Sequence, residues 1–308
     1  MRFSVWPDPT RPFEDVATIV AACERLDWHA AYFADHFMPN DAGATPLRGD
    51  THECLSVLAG LAGKTSRIRL GPLVAAATYR HPAVFAKAIT AIDRISRGRA
   101  ICGMGAGWQE NEHVSYGIEL GSITERIDRF DEYVTIVHSM LTEETTTFEG
   151  AYFSLRDAPN DPRPVQSPVP ILLGVRGRRR TMSIAARHAS IWNAWTDPED
   201  LAKCNRVLDE HCATIGRDPA TIERSTQALV FLSTDEAWLA KHRDGAGRAS
   251  IVGTPAEVTE IVGQYREAGC DELIVPCFTL GPLERCLETL ELFSRDVAPH
   301  FIGGPARR

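Results

Sequence analysis

Short apolar runs alternate with amphipathic segments along this chain, and the alternation repeats eight times. RFSVW (2–6), AAYFAD (30–35), IRLGPLVAAAT (68–78), RAICGMGAG (99–107), PILLGV (170–175), SIWNAW (190–195), ERSTQALVFLS (223–233) and DELIVPCF (271–278) read as strands. Each precedes a stretch of helical period: 12–28, 51–65, 81–96, 108–141, 178–188, 198–215, 254–269 and 283–297. In the first of these, Val16, Ile19, Val20, Cys23 and Leu26 share one face. Thr51 reads as a helix cap, Pro82 as a helix start and Gly269 as a helix stop. Repeated strand–helix units require a parallel sheet covered on both faces. Eight of them in 308 residues fit an α/β fold of the closed (β/α)8 type, a TIM barrel, better than an open doubly wound sheet. The expectation is one barrel domain over 1–308, interrupted by insertions at about 142–169 and 233–252. The first insertion contains TTTFEGAYFSL, which reads as a hairpin around Glu149 and Gly150.

The bulk chemistry narrows the function classes. A net charge of −8 gives no support to nucleic-acid binding. No stretch approaches the ~18 apolar residues of a membrane span, and the first residues lack the apolar core of a secretory leader. A cytoplasmic protein is expected. The eight cysteines form no CxxC pair and read as buried apolar groups in a reducing compartment. Cys204, His211 and Cys212 share one helix but lie two turns apart, too far for one metal ion, so no metal site is expected.

In a barrel of this kind, chemistry sits at the C-terminal ends of the strands. Four segments fall there. YFADHF places Asp35 and His36 where an apolar strand stops; Asp35 is a candidate ligand acceptor and His36 a candidate proton-transfer group. GPLVAAATYRHP (71–82) offers small residues that let a flat ligand approach the backbone. GVRGRRR (174–180) runs from a strand end into a helix; backbone N–H groups and Arg176, Arg178, Arg179 and Arg180 make a candidate phosphate site. GMGAGWQENE (103–112) carries three alternating glycines, yet its spacing is neither GxGxxG nor a Walker loop. Those glycines read as narrowing a barrel wall, and Glu112 and His113 beyond them read as surface residues more readily than as catalysts.

Taken in order, YFADHF, the run from IRLGPLVAAATYRHP to ENEHVSYGI, ERIDRFDEYVTIV, TFEGAYFSLRDAP, PILLGVRGRRRTMSIAARHASIWN and VGTPAEV resemble the bacterial luciferase-like monooxygenase superfamily. Within it they are most similar to the deazaflavin (coenzyme F420) dependent oxidoreductases of actinobacteria. The resemblance implies a cofactor site at the C-terminal face and hydride transfer between the deazaflavin and a small organic substrate. It implies a non-prolyl cis peptide at Leu73–Val74 behind the ring, Asp35 near the ribityl chain and His36 at the catalytic position. It also implies Gly107, Trp108 and Asn111 along the ring or its tail, and Gly174, Val175, Arg176, Gly177 and Arg178 around the phosphate. A homodimer is implied as well. There are departures: the usually glycine-rich phosphate loop is GVRG here, and the common AD at the helix end is Ala189-Ser190. Trp108 stands where the sugar-phosphate dehydrogenases of the superfamily have a glutamate, so that acid role does not carry over. A reduced-FMN-dependent monooxygenase and a non-catalytic cofactor-binding barrel are the alternatives on the same fold.

Overall fold

A computed structural model describes residues 1–39, 45–177, 179–244 and 247–302. Eight parallel strands form its centre: β1 (Arg2–Trp6), β2 (Ala30–Phe33), β3 (Arg69–Pro72, resuming at Ala75–Ala76), β4 (Cys102–Gly105), β5 (Ile171–Gly174), β6 (Ile191–Trp195), β7 (Glu223–Gln227) and β8 (Glu272–Pro276). Each pairs with its sequence neighbours, and β8 pairs with β1. The ring closes through β3, whose first half pairs with β2 and meets β4 at Leu70–Ala100, while its second half pairs with β4. The expected barrel is therefore the observed one.

The outer layer is built from α1 (Phe13–Arg25), α2 (Cys54–Lys64), α3 (Pro82–Ile95), α4 (Glu110–Tyr116), α5 (Ile123–Thr142), α6 (Arg180–His188), α7 (Pro198–Thr214), α8 (Pro255–Glu267) and α9 (Leu283–Asp296). Their buried faces follow the apolar period; α1, for example, buries Val16, Ile19, Val20 and Cys23. Local chemistry shifted several expected boundaries. Glu53, not Thr51, caps α2, its carboxylate accepting from the Leu55 and Ser56 amides. The segment expected as one helix over 108–141 is two, because Gly117 ends α4 in the left-handed conformation at φ +66° and Ser122 restarts the chain with a capping box. The run 223–233 is also two strands. After β7 the chain leaves the barrel, and Leu229–Leu232 pairs with Ser250–Gly253 in a separate two-stranded sheet. The hairpin lies where expected, with Thr145–Glu149 antiparallel to Ser154–Pro159.

Inside the barrel, alternate strand positions point inward. Lower down, the buried Glu272 carboxylate accepts from Tyr32 (3.2 Å) and Ser4, and burial pushes its pKa up. The same interior carries an apolar cluster that includes Trp6, Ala34, Leu73, Ile101, Leu172 and Ile274. All eight cysteines carry free thiols, and among the described residues no helix is long and apolar enough to cross a membrane.

Outside the barrel, α5 and α6 meet through His138 and His188, whose rings stand 5.4 Å apart. Burial, with the neighbouring Arg187 and His138, lowers the His188 pKa from 6.5 to about 4. Between those values the unfolded chain takes a proton that the folded chain refuses. Stability is thus present above pH 6.5 and lost as pH falls toward 4. His188→Gln is expected to flatten the fall of the thermal midpoint across this window; melts at pH 7 and pH 5 that drop equally in both proteins would remove His188 as the cause.

Candidate active site

The residues from the four rim segments converge on one side of the barrel mouth. His36 follows β2, and its Nδ1 lies 2.8 Å from Glu112 Oε1 on α4. The other carboxylate oxygen accepts from the Phe37 amide at 2.7 Å, and the Tyr79 hydroxyl also donates to Glu112. Glu112 is fully buried. Burial opposes its charge, but the hydrogen bond and charge of His36, the Phe37 amide and Tyr79 together hold its pKa below the usual carboxylate value. An ionised carboxylate only accepts, so the His36 proton facing it sits on Nδ1. Nε2 is left as the atom that can hold or release a proton toward the mouth.

Helix α4 clamps Phe37, Met38 and Pro39 after His36. Gln109 donates to the Met38 carbonyl (3.3 Å) and Pro39 carbonyl (3.4 Å). Asn111 donates to the Pro39 carbonyl (3.3 Å) while its own oxygen accepts from the Glu112 amide (2.8 Å). Tyr116 donates to the Phe37 carbonyl at 3.1 Å. His113 is buried and neutral in function: its Nδ1 donates to the Gln109 carbonyl (2.6 Å), so Nε2 accepts from Thr78 (2.8 Å). Burial lowers its pKa, consistent with that tautomer. Glu112 and His113, read from the sequence as more readily surface groups, are instead the buried anchors of the site. The signal that would have found them is their i, i+1 position at the start of a helix abutting the strand that ends in glycine.

Asp35 is buried, and its carboxylate is engaged within the protein. Arg80 donates to both oxygens (2.6 and 2.9 Å), and the Ala76 amide donates to one (3.0 Å). Arg80 also reaches Glu53 at 2.6 Å, joining β2, β3 and α2. The Leu73–Val74 peptide is cis. Around it the strand-four glycines make close contacts. A Cβ on Gly103 would stand 1.9 Å from the Pro72 carbonyl oxygen, one on Gly105 2.6 Å from Val74 Cγ2, and one on Gly107 2.6 Å from Thr78 Oγ1. A Cβ on Gly174 would also meet Val74, at 2.7 Å. Gly107 further needs its φ of +84°. The glycines thus press the backbones of β4 and β5 against β3 rather than cradling a phosphate. Trp108 is 54% exposed and stands edge-on to His36, ring centroids 5.6 Å apart.

Beyond β5, Val175 is buried, and its amide donates to the Asn193 carbonyl at 3.1 Å. Gly177 has φ +151°, and α6 then begins with no side chain capping its first amides. Arg176 pairs with Asp200 (2.6 Å) and Arg180 with Asp128, both on the surface. Arg178 lies outside the described residues. Among the described residues no group of His, Cys, Asp and Glu could hold a metal ion.

The family model for luciferase-like monooxygenase matches residues 1–247. An F420-dependent glucose-6-phosphate dehydrogenase of Intrasporangium calvum is 34% identical, with 91% of this chain and 92% of the relative covered. The enzyme of that name from Microbacterium testaceum is 32% identical over 69% of this chain. There the chain spans 62% of the relative's length, and about half the length of several other relatives it matches. Among solved structures, the coenzyme F420-dependent tetrahydromethanopterin reductase of Methanopyrus kandleri superposes with a TM-score of 0.82 at 20% identity, covering 97% of this chain and 99% of that one.

Proposed function

Because this chain belongs to the luciferase-like monooxygenase family, we propose that it is an F420-dependent oxidoreductase, an enzyme that transfers hydride between the deazaflavin and a small organic substrate. The observation that carries this reading is the His36–Glu112 pair, fixed by α4 at the barrel mouth beside the exposed Trp108. The names of the relatives support the deazaflavin as the cofactor.

The residues present fit such a group. Trp108 presents half of its indole to solvent next to His36, a surface suited to a flat ring. The Leu73–Val74 peptide, Gly107 and Asn111 border the same side. The uncapped first amides of α6, after Gly174–Gly177, suit an anionic tail. The Arg176 and Arg180 pairs are exposed and of the kind worth little, so both guanidiniums are available to exchange onto phosphates. When bound, the deazaflavin supplies the hydride chemistry. The protein's part is orientation and one proton. His36 holds that proton at Nε2, Glu112 steadies the imidazole through Nδ1, and Asp35 acts through Arg80 to hold the β2 end against β3. On this reading the chain works as one barrel, as a homodimer, in the cytoplasm.

Titrating the purified protein separately with F420 and with FMN tests the proposal. F420 is expected to bind at least tenfold more tightly, about 1.4 kcal/mol, because its longer anionic tail meets the arginines at the start of α6. Tight FMN binding without F420 binding would favour the monooxygenase alternative and overturn the proposal.

A further inference from the structure

The barrel mouth is lopsided. On the β2–β5 side Ala34, Gly105 and Gly174 stand at the upper positions, with the Val74 side chain packed against both glycines. On the β6–β1 side these positions hold Trp195, Gln227 and Trp6, at the ends of β6, β7 and β1. The inward direction of Trp6 follows from Ser4, two residues earlier, whose hydroxyl meets Glu272 inside the barrel. Trp6 and Trp195 stand 6.0 Å apart between ring centroids, and Phe278 meets Trp6 edge-on at 4.9 Å. The three rings form one aromatic wall, and the Arg248 guanidinium lies on the Trp195 face at 4.9 Å.

This wall holds polar atoms that the fold does not use. The buried indole N–H groups of Trp6 and Trp195, and the buried carboxamide oxygen of Gln227, have no hydrogen-bond partner among the described residues. Two other buried indoles are satisfied: Trp28 donates to Ser294 (2.7 Å) and Trp192 to the Val175 carbonyl (2.9 Å), although unmatched buried atoms also occur outside this wall, such as Tyr133 Oη and Asn205 Oδ1. Leaving a buried donor unmatched costs about 1–3 kcal/mol, so the two unmatched indole N–H groups in one wall of a mouth point to a ligand that offers them an oxygen. Both unmatched donors are neutral and lie at the edges of apolar ring faces, and the nearby Arg248 guanidinium is stacked on Trp195. A phosphate asks for charge-assisted, bidentate donors. A flat, uncharged carbonyl compound asks for what this wall presents: ring faces for its apolar plane and neutral N–H groups for its oxygen.

We infer that Trp6, Trp195, Gln227 and Phe278 form the substrate subsite, and that its occupant is a planar, uncharged ring compound bearing a carbonyl, not a sugar phosphate. The inference deepens the proposed oxidoreductase reading and rests on it for the word substrate; the binding claim stands on the wall itself.

The six indole N–H resonances of the protein report on this directly. 1-Tetralone, an aromatic ring ketone, is added with and without bound F420, and tetralin, which lacks the oxygen, and glucose 6-phosphate are added in parallel. With 1-tetralone, the Trp6 and Trp195 signals, assigned through Trp6→Phe and Trp195→Phe, are expected to move, while those of Trp28 and Trp192 stay in place. Tetralin is expected to bind about five- to tenfold more weakly, as is 1-tetralone to Trp6→Phe, which keeps a ring and loses one donor. Motion of neither signal with 1-tetralone, equal binding of tetralin, or the same shifts with glucose 6-phosphate would each overturn the inference. F420 binding with no response to 1-tetralone would sink the subsite alone; failure of F420 to bind, with the tetralone shifts intact, would sink the cofactor reading alone.

Discussion

Gly103→Ala is expected to destabilise the protein by about 3 kcal/mol or more, one of the largest effects of any single methyl group in the chain. The added Cβ would fall 1.9 Å from the Pro72 carbonyl oxygen and 3.1 Å from its carbonyl carbon. Those atoms belong to β3, which is fastened to β2 on one side and β4 on the other, so the neighbour cannot turn away as a flexible side chain would. Relief requires β3 and β4 to separate at the point where the barrel closes. The same substitution at Gly263, in the middle of α8 with nothing within 4 Å of the new Cβ, is expected to stabilise by about 0.5–1 kcal/mol. Chemical denaturation of both variants decides the matter. A Gly103→Ala protein as stable as the parent would mean that β3 and β4 are not held at this spacing.

The barrel was legible because its signal is redundant. Eight alternations, each supported by its own apolar period, survive an error at any one of them, and the closing pairs β8–β1 and β3–β4 follow from count and hand alone. Boundaries were less legible because they are set by single side chains. The Glu53 cap replaces Thr51, and Gly117 splits α4 from α5. Leu229–Leu232 looked like a continuation of β7 since an apolar run does not announce which sheet it joins. In the site, the rim positions of His36, Trp108 and Gly107 followed from strand ends. What a side chain meets there did not. Asp35 was read as facing a ligand, and nothing near it in the chain discloses that Arg80, 45 residues on, covers both of its oxygens. Glu112 looked like a solvated helix residue, because its partners His36, Phe37 and Tyr79 come from two other loops. Spacing along one element is readable; contact between elements is a property of the closed barrel.

Glu112→Gln is expected to lower turnover about tenfold or more while leaving F420 affinity unchanged. The substituted amide would keep the size of the side chain and one acceptor oxygen, so the Phe37 amide or the His36 Nδ1–H can still be met. What it loses is the charge that stabilises His36 when the imidazole is protonated, a hydrogen bond of the kind worth about 1.5–3 kcal/mol. The acidic limb of the pH–rate profile is therefore expected to move to lower pH. A purely structural role would leave that limb in place and show itself as lost stability. Stability has its own pH signature: the Glu112 pKa lies below its unfolded value, so its contribution is present above about pH 4.5 and is lost as pH falls through the folded pKa. The variant lacks this contribution at every pH, and its melting curves at neutral and acid pH should converge toward those of the parent as the parent's carboxylate protonates. His36→Ala removes the proton-holding atom itself and is expected to cost more in turnover than Glu112→Gln, again with F420 binding retained. Unchanged turnover in both variants would show that the proton comes from elsewhere in the mouth. Loss in His36→Ala with an unmoved acidic limb in Glu112→Gln would leave His36 its role and take the positioning role from Glu112.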